Sequence, residues 1–375
     1  MPTCLIKYDM RLTGGKQAQT PLFALSGTPP EELEKILSPL PRFRAAQILK
    51  WIASGISSFD SMGNLPAPLR GELALRFRPR PEAAGEKFPA TDGTVKLVLR
   101  FGDGARIESV LLNDGRSAPR YTACLSTQAG CPAGCVFCRT GQHFQRSLES
   151  AEIVEQFIRL KALAEELSPE PGERQPGAPP VSNIVVMGMG EPLLNLEELR
   201  RALAVITCKQ GFNFSRRRIT VSTCGIPRAI ADLADNGPAV RLALSLTTGD
   251  EELRRRLMPV SAAYSLRELK ESLLYFQEKG GGRVTLEAVL LCGINTSGRD
   301  AQGIARFAEG LDASVNLIPW NPAAGLEFEG KALKAPAAAE TKAFAQSLEA
   351  LGLAVTCRFR RGRGVMGACG QLGGG

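Results

Sequence analysis

Histidine is almost missing from this chain: His143 is the only one among 375 residues. A Ser-His-Asp triad would have a single possible base, and zinc hydrolase sites built from several histidines are excluded. Long apolar runs are missing too. None approaches the roughly 18 residues of a membrane span, and Met1 to Met10 lacks the basic-then-apolar order of a signal peptide. The expectation is a cytoplasmic protein with no membrane partner. Aromatic residues are scarce at 6%, yet 44% apolar and 22% charged residues make a globular composition. Disordered and collagen-like classes are thereby excluded, and the length allows one large domain plus a smaller one.

Lys and Arg number 46 against 38 Asp and Glu, for a net charge of +8 and a pI near 9.0. That balance favours a polyanionic partner such as nucleic acid. The ten cysteines are irregularly spaced, and three of them crowd into eight residues. In a cytosolic chain this pattern suggests a metal or redox site before a disulfide scaffold.

From Glu31 to about Arg76 the apolar residues Ile48, Ile52, Phe59, Met62, Leu65, Leu69 and Leu73 recur at near-helical spacing. Arg42, Arg44, Lys50 and Arg70 lie on the polar side of this small helical unit, as a solvated face or an RNA-contacting one. Pro79, Pro81 and Pro89 mark a linker, and VKLVLRF, the turn GDG and ARIESVLL then read as a hairpin. Strand and helix patterns alternate afterwards. Strands are expected at Tyr121 to Ser126, Asn183 to Met187, Arg218 to Ser222, Val240 to Leu246, Val284 to Leu291 and Ser314 to Pro319. Helices are expected at Glu149 to Leu167, Leu196 to Lys209, Pro227 to Asp235, Ser265 to Glu278, Ala301 to Leu311 and Ala337 to Leu351. Such alternation predicts a parallel α/β architecture, an open sheet or partial barrel, with its active site at the C-terminal strand ends. The expected division is 1–90 for the helical accessory domain with its linker, 91–120 for a hairpin extension, 121–352 for the core and 353–375 for a tail.

Directly after the first of these strands comes GCPAGCVFCRTG, which sets Cys131, Cys135 and Cys138 in a Cys-x3-Cys-x2-Cys arrangement. Three thiolates on a tight loop can hold three irons of a [4Fe-4S] cluster and leave the fourth iron open to another ligand. The competing reading is a zinc knuckle, with His143 or Cys124 as the fourth ligand. MGMGEPLLN follows the second strand, and its glycines allow close backbone approach to a ligand. The tail reads ACGQL. Cys369 is either an incidental surface thiol or, near Arg358, Arg360, Arg361 and Arg363, a nucleophile of lowered pKa.

Cys131, Cys135, Phe137 and Cys138 match the Cys-x3-Cys-x-aromatic-Cys motif of radical S-adenosylmethionine (SAM) enzymes. With CLSTQAGCPAGCVFCRTGQ, MGMGEPLLN, ITVSTCG, LALSL, NLIPWNP and ACGQL, the chain from about Pro41 to Leu372 resembles the RlmN/Cfr family of radical SAM RNA adenine methyltransferases. The STQ-GC and GQ-plus-Phe context is more similar to RlmN, which methylates adenine C2, than to Cfr, which methylates C8. The resemblance implies a partial (β/α)6 barrel, a [4Fe-4S] cluster and two SAM molecules per turnover. It implies that Cys369 carries a methyl group, that Cys124 resolves the adduct through a transient disulfide, and that Glu108 accepts a proton. SAM contacts carried over by position are Phe137, Gly190, Glu191, Ser222, Ser245, Leu246, Thr247 and Asn321. Thr247 departs from the pattern, because the family usually has histidine after Ser-Leu, and the GQ segment is about one residue shorter before Phe144. Buried packing is the default expected of Cys4, Cys208, Cys224, Cys292 and Cys357.

The partners implied are the peptidyl-transferase-centre adenosine of 23S rRNA, adenosine 37 of tRNAs for many RlmN members, and an electron donor such as flavodoxin. Arg216, Arg217 and Arg218 could meet RNA phosphates or be a solvated face. A Cfr-like C8 methyltransferase is the near rival, and a non-enzymatic RNA-binding protein with structural zinc the distant one.

Overall fold

The computed structural model describes residues 22–116, 119–168, 179–357 and 363–373. Its centre is a ten-stranded sheet among the described residues, with strands β1 (Ala83–Pro89), β2 (Val95–Phe101), β3 (Arg106–Asn113), β4 (Tyr121–Cys124), β5 (Val181–Val186), β6 (Ile219–Thr223), β7 (Arg241–Ser245), β8 (Val284–Leu290), β9 (Ala313–Pro319) and β10 (Val355–Cys357). Spatial order follows chain order from β1 to β10. The first three strands join by antiparallel pairing, as does β3 to β4, and every pairing from β4 to β10 is parallel. Parallel neighbours need crossovers, and helices supply them: α4 (Ser150–Glu166), α5 (Leu196–Thr207), α6 (Pro227–Asn236), α7 (Glu251–Leu257), α8 (Leu266–Glu278), α9 (Gly298–Ala308) and α10 (Ala338–Ala350). Three helices precede them: α1 (Pro30–Ile36), α2 (Phe43–Ala53) and α3 (Ala67–Arg76).

The sheet curls. Cys124 of β4, Thr220 of β6, Ile318 of β9 and Cys357 of β10 all line one cavity of about 560 Å³. Register explains which side chains face it: Cys124 lies opposite Val185, Val185 opposite Thr220, and Thr220 opposite Arg241, so alternate residues share the concave face. This is the partial-barrel α/β fold that the alternation predicts.

Two strands and a helix were not legible in the sequence. The Pro-marked stretch expected as a linker contributes β1, an almost wholly exposed edge strand without the apolar alternation that signals burial. The tail contributes β10, and the Glu- and Arg-rich stretch after β7 forms α7.

The N-terminal unit is docked tightly. A Cβ on Gly27 would lie 2.2 Å from the backbone nitrogen of Ala151 at the start of α4. Arg80 makes a bidentate pair with Glu155 of α4 at 2.7 and 2.8 Å, and Arg201 of α5 pairs with Glu32 at 2.6 Å. Among the described residues no helix is long and apolar enough to cross a membrane.

Candidate active site

The cysteine loop leaves β4 and is pinned at both ends. Gly130 adopts φ +84°, and a Cβ there would sit 2.1 Å from the His143 carbonyl oxygen, so only glycine fits this crossing. The Cys131 N–H donates to that same carbonyl at 2.8 Å. Val136 N–H donates to Leu257 O at 3.0 Å, which ties the loop to α7.

The three thiols lie within electrostatic reach of one another. Burial pushes the Cys131 thiol up to about 12, and Cys138 and Glu191 add like-charge repulsion. Burial also raises Cys135 and Cys138, with neighbouring cysteines adding to each. Against this, backbone N–H groups of Ala133 and Gly190 point at Cys131, and those of Gly141 and Thr140 point at Cys138. Sulfurs that cannot ionise alone but already have N–H donors aimed at them suit a cationic cluster, which deprotonates coordinating thiols.

The expected SAM residues gather at the C-terminal ends of β5 to β9. Gly190 adopts φ +105°, with Gln128 atoms 2.7–2.8 Å from where a Cβ would lie. The buried Glu191 carboxylate accepts from Thr223 Oγ1 at 2.7 Å, Cys224 N–H at 2.7 Å and Leu193 N–H at 3.0 Å. Three of its roughly four acceptor sites are therefore spent on the protein. Ser222 Oγ donates to Glu287 Oε2 at 3.0 Å and lies 3.5 Å from Ser245 Oγ. Leu246 is buried, and Phe137 is buried with its carbonyl accepting from Trp320 Nε1 at 2.8 Å. Thr247 is fully buried at φ +64°, and among the described residues its Oγ1 has no hydrogen-bond partner, nor has the buried Asn321 Oδ1. Buried polar atoms in native folds are paired with protein, water or ligand, and a ligand here would complete both. Both stand at positions that the resemblance assigns to SAM, so the residues present fit that cofactor.

The tail is not the loose segment expected. Arg139 N–H donates to Gly370 O at 2.8 Å, Thr140 Oγ1 to Leu372 O at 2.8 Å, Gln371 Nε2 to Pro322 O at 2.8 Å and Asn321 Nδ2 to Cys369 O at 3.1 Å. These bonds hold 368–372 against the cysteine loop, and exposed Cys369 lines the same cavity as buried Cys124. Cys4, Arg358, Arg360, Arg361 and the side chain of Arg363 lie outside the described residues.

Glu108 departs from the solvated edge position its strand suggests. β3 is an interior strand, and Glu108 is fully buried, with Arg106 Nη2 at 2.8 Å and Lys96 Nζ at 3.4 Å from its carboxylate. Its N–H donates to Met189 Sδ at 3.2 Å and its carbonyl accepts from Ser126 Oγ at 2.6 Å. Buried packing, expected of the remaining cysteines, holds for Cys224, which lies near Glu191 and Cys135. Cys208 is half-buried; Cys292 and Cys357 are exposed, Cys292 two residues beyond β8 and Cys357 on the last residue of β10 at the cavity.

Sequence reasoning missed Glu287 and Arg254. Glu287 on β8 is buried and accepts from Ser222 and, at 3.3 Å, from Asn316 Nδ2. Its signal was a lone acid inside the apolar run VTLEAVL. Arg254 hid within an Arg run that reads as a solvated helix face.

This fold and cysteine loop define a radical SAM enzyme: residues 125–301 match the family described as the radical SAM superfamily, which implies a [4Fe-4S] cluster and SAM. Residues 25–78 match the ribosomal RNA large subunit methyltransferase N-terminal domain. The chain is 46% identical over 351 residues to the "Probable dual-specificity RNA methyltransferase RlmN" of Treponema pallidum, covering 93% of this chain and 97% of that one. It is 40% identical to the Thermus thermophilus protein of the same name, covering 92% and 91%. The crystal structure of a radical SAM methyltransferase from Sphaerobacter thermophilus superposes with a TM-score of 0.84 at 36% identity, covering 94% of this chain and all of that one. The chain belongs to the RlmN family of radical SAM RNA methyltransferases.

Proposed function

We propose that this enzyme methylates C2 of adenine in RNA, at the peptidyl-transferase-centre adenosine of 23S rRNA and at adenosine 37 of tRNAs, through a methyl-cysteine and a transient disulfide. The observation that carries this reading is that Cys124 and Cys369, far apart in sequence, line one cavity beside the cysteine loop. When bound, the cluster would supply one electron to cleave SAM into a hydrogen-abstracting radical, and a further SAM would supply the methyl group. Cys131, Cys135 and Cys138 would hold the cluster. Ser222, Ser245, Thr247, Asn321 and the 190–191 backbone would hold SAM, with Phe137 beside its adenine.

Adenine C2 is an electron-poor sp2 carbon, so it does not attack an electrophilic methyl as an amine does. In this reading Cys369 sulfur takes the methyl first and presents it to the base as a thioether. After hydrogen loss the carbon bonds to C2, and the adduct gives up one electron, for which the oxidised cluster, when bound, would be the acceptor, and the C2 proton to a base. Glu108 is assigned that proton; it shares its strand face with Val110, which pairs with Cys124. Cys124 thiolate then attacks Cys369 sulfur. The S–S bond forms, the C–S bond breaks, and the electron pair left on carbon takes a proton to become the methyl group. A thiol reductant restores both cysteines, and a flavodoxin-type protein is assigned as the one-electron donor.

Among the described residues lining the cavity the only charged ones are Arg218 and Arg241, both exposed at the N-terminal strand ends. Two guanidiniums there suit a phosphodiester. The test is an anaerobic assay of reconstituted protein with methyl-labelled SAM, a reductant and unmodified 23S rRNA fragments or tRNA, read by nucleoside mass spectrometry. 2-Methyladenosine supports the reading. 8-Methyladenosine would move the enzyme to the Cfr side, and no product from cluster-loaded enzyme on either RNA would overturn the substrate assignment.

A further inference from the structure

Arg254 on α7 is a cation in the wrong place for a solvated helix face: it is 2% exposed. Its Nη2 donates to Cys224 O at 2.5 Å and to Ser245 O at 3.3 Å, and its Nε to Leu246 O at 3.1 Å. The guanidinium thus joins the loop after β6 to the loop after β7. Among the described residues no carboxylate forms a salt bridge with it. Burying a guanidinium is strongly unfavourable unless an opposite charge compensates, and neutral carbonyls recover only part of that penalty.

Anionic groups around it are few. The Glu251 carboxylate pairs with Arg255 and accepts from Leu266 N–H at 3.3 Å, and Glu191 is spent on Thr223, Cys224 and Leu193. What remains is sulfur. The helix that carries Arg254 is tied to the cysteine loop: Val136 N–H, between Cys135 and Cys138, donates to Leu257 O at 3.0 Å, and Val260 N–H donates to Ala133 O at 3.3 Å.

We propose that Arg254 is the buried counter-charge of the iron–sulfur centre held by Cys131, Cys135 and Cys138, and that it raises the reduction potential of that centre. The inference rests on the cluster assignment above. A cubane held by three thiolates is anionic and gains one more negative charge on one-electron reduction. A fixed cation nearby stabilises the more negative form more, so the electron enters more readily. Arg254 touches neither substrate nor reacting atoms, so its role is positioning and electrostatic.

The experiment compares anaerobically reconstituted full-length wild type, Arg254→Gln, Arg254→Met and Arg254→Lys, without SAM, by potentiometric titration followed by electron paramagnetic resonance. At the wild-type midpoint, the reduced-to-oxidised ratio should fall about tenfold or more in Arg254→Gln or Arg254→Met, the order of magnitude a buried unit charge exerts at an effective dielectric of about 20. Arg254→Lys keeps the charge and should stay near wild type. Coincident potentials in variants that load iron and sulfide equally would overturn the proposal, because a brace alone leaves the potential unmoved. Where neither neutral variant loads the cluster, loading by Arg254→Lys alone supports a charge requirement, and loading by none of the three overturns it. Wild type that takes up no iron and sulfide would instead refute the cluster assignment itself.

Discussion

Thr247 carries two costs at once, and replacing it with glycine should move stability and cofactor binding in opposite directions. A β-branched residue at φ +64° is a steric outlier. Two bonds hold it there: Thr247 N–H donates to Glu287 O at 3.0 Å, and Asn295 Nδ2 donates to Thr247 O at 3.0 Å. The left-handed conformation costs a non-glycine residue about 1–2 kcal/mol. The buried hydroxyl without a partner costs a further ~1–3 kcal/mol. Against these, glycine loses about 0.5–1 kcal/mol in backbone entropy, and deleting the buried methyl loses about 0.8 kcal/mol. The balance favours Thr247→Gly in the cofactor-free protein by about 2 kcal/mol. With an unfolding entropy of about 2.1 cal/mol/K per residue, a chain of 375 residues shifts by about 1.3 °C per kcal/mol, a rise of about 2–3 °C in melting temperature, checked by paired thermal and urea unfolding. SAM binding should weaken, since the variant loses a hydrogen bond of about 0.5–1.5 kcal/mol, which raises the dissociation constant about two- to twelve-fold. Equilibrium dialysis of cluster-loaded protein measures it. A glycine variant less stable than wild type would refute the strain argument, and unchanged SAM affinity would refute the assignment of the hydroxyl to the cofactor.

Cys369→Ala should abolish RNA methylation while leaving iron and sulfide content at wild-type levels, and an active variant would end its assignment as methyl carrier. Cys124→Ala should stall after base attachment and leave protein covalently bound to RNA on a denaturing gel; normal turnover would mean that another group resolves the adduct. The cluster-free protein should lose stability with rising pH. Cys131 is raised to about 12 from an unfolded value near 9, so the unfolded state ionises first. That stability is fully present below about pH 9 and is lost as pH climbs toward 12, by urea unfolding across that range. Replacing Arg218 and Arg241 with Gln should weaken RNA binding and flatten the plot of log affinity against log salt by about 0.7–0.9 per arginine, whereas Arg267→Gln on the outer face of α8 should leave the slope unchanged.

Much of this molecule was legible in its sequence, because parts of the chemistry are local. The Cys131, Cys135 and Cys138 spacing, the glycines of 188–190 and the six core strands depend on neighbours within a dozen residues, and periodicity or spacing reports such neighbours directly. The edge strand 83–89 escaped because an exposed strand needs no alternation, and the tail's docking escaped because its partners, the backbone of Arg139 and Pro322 and the side chains of Thr140 and Asn321, lie far away in the chain. Three facts belonged to the tertiary structure alone: that Cys124 and Cys369 share a cavity, that Glu108 is buried between two cations, and that Arg254 is sealed beside the cysteine loop. The first and third join residues that are distant in the chain, and the second depends on the strands that cover β3 on both sides. Whether a thiol or a guanidinium meets water, a carbonyl or another thiol is decided by how the curled sheet brings its strand ends together, and no run of neighbouring residues records that.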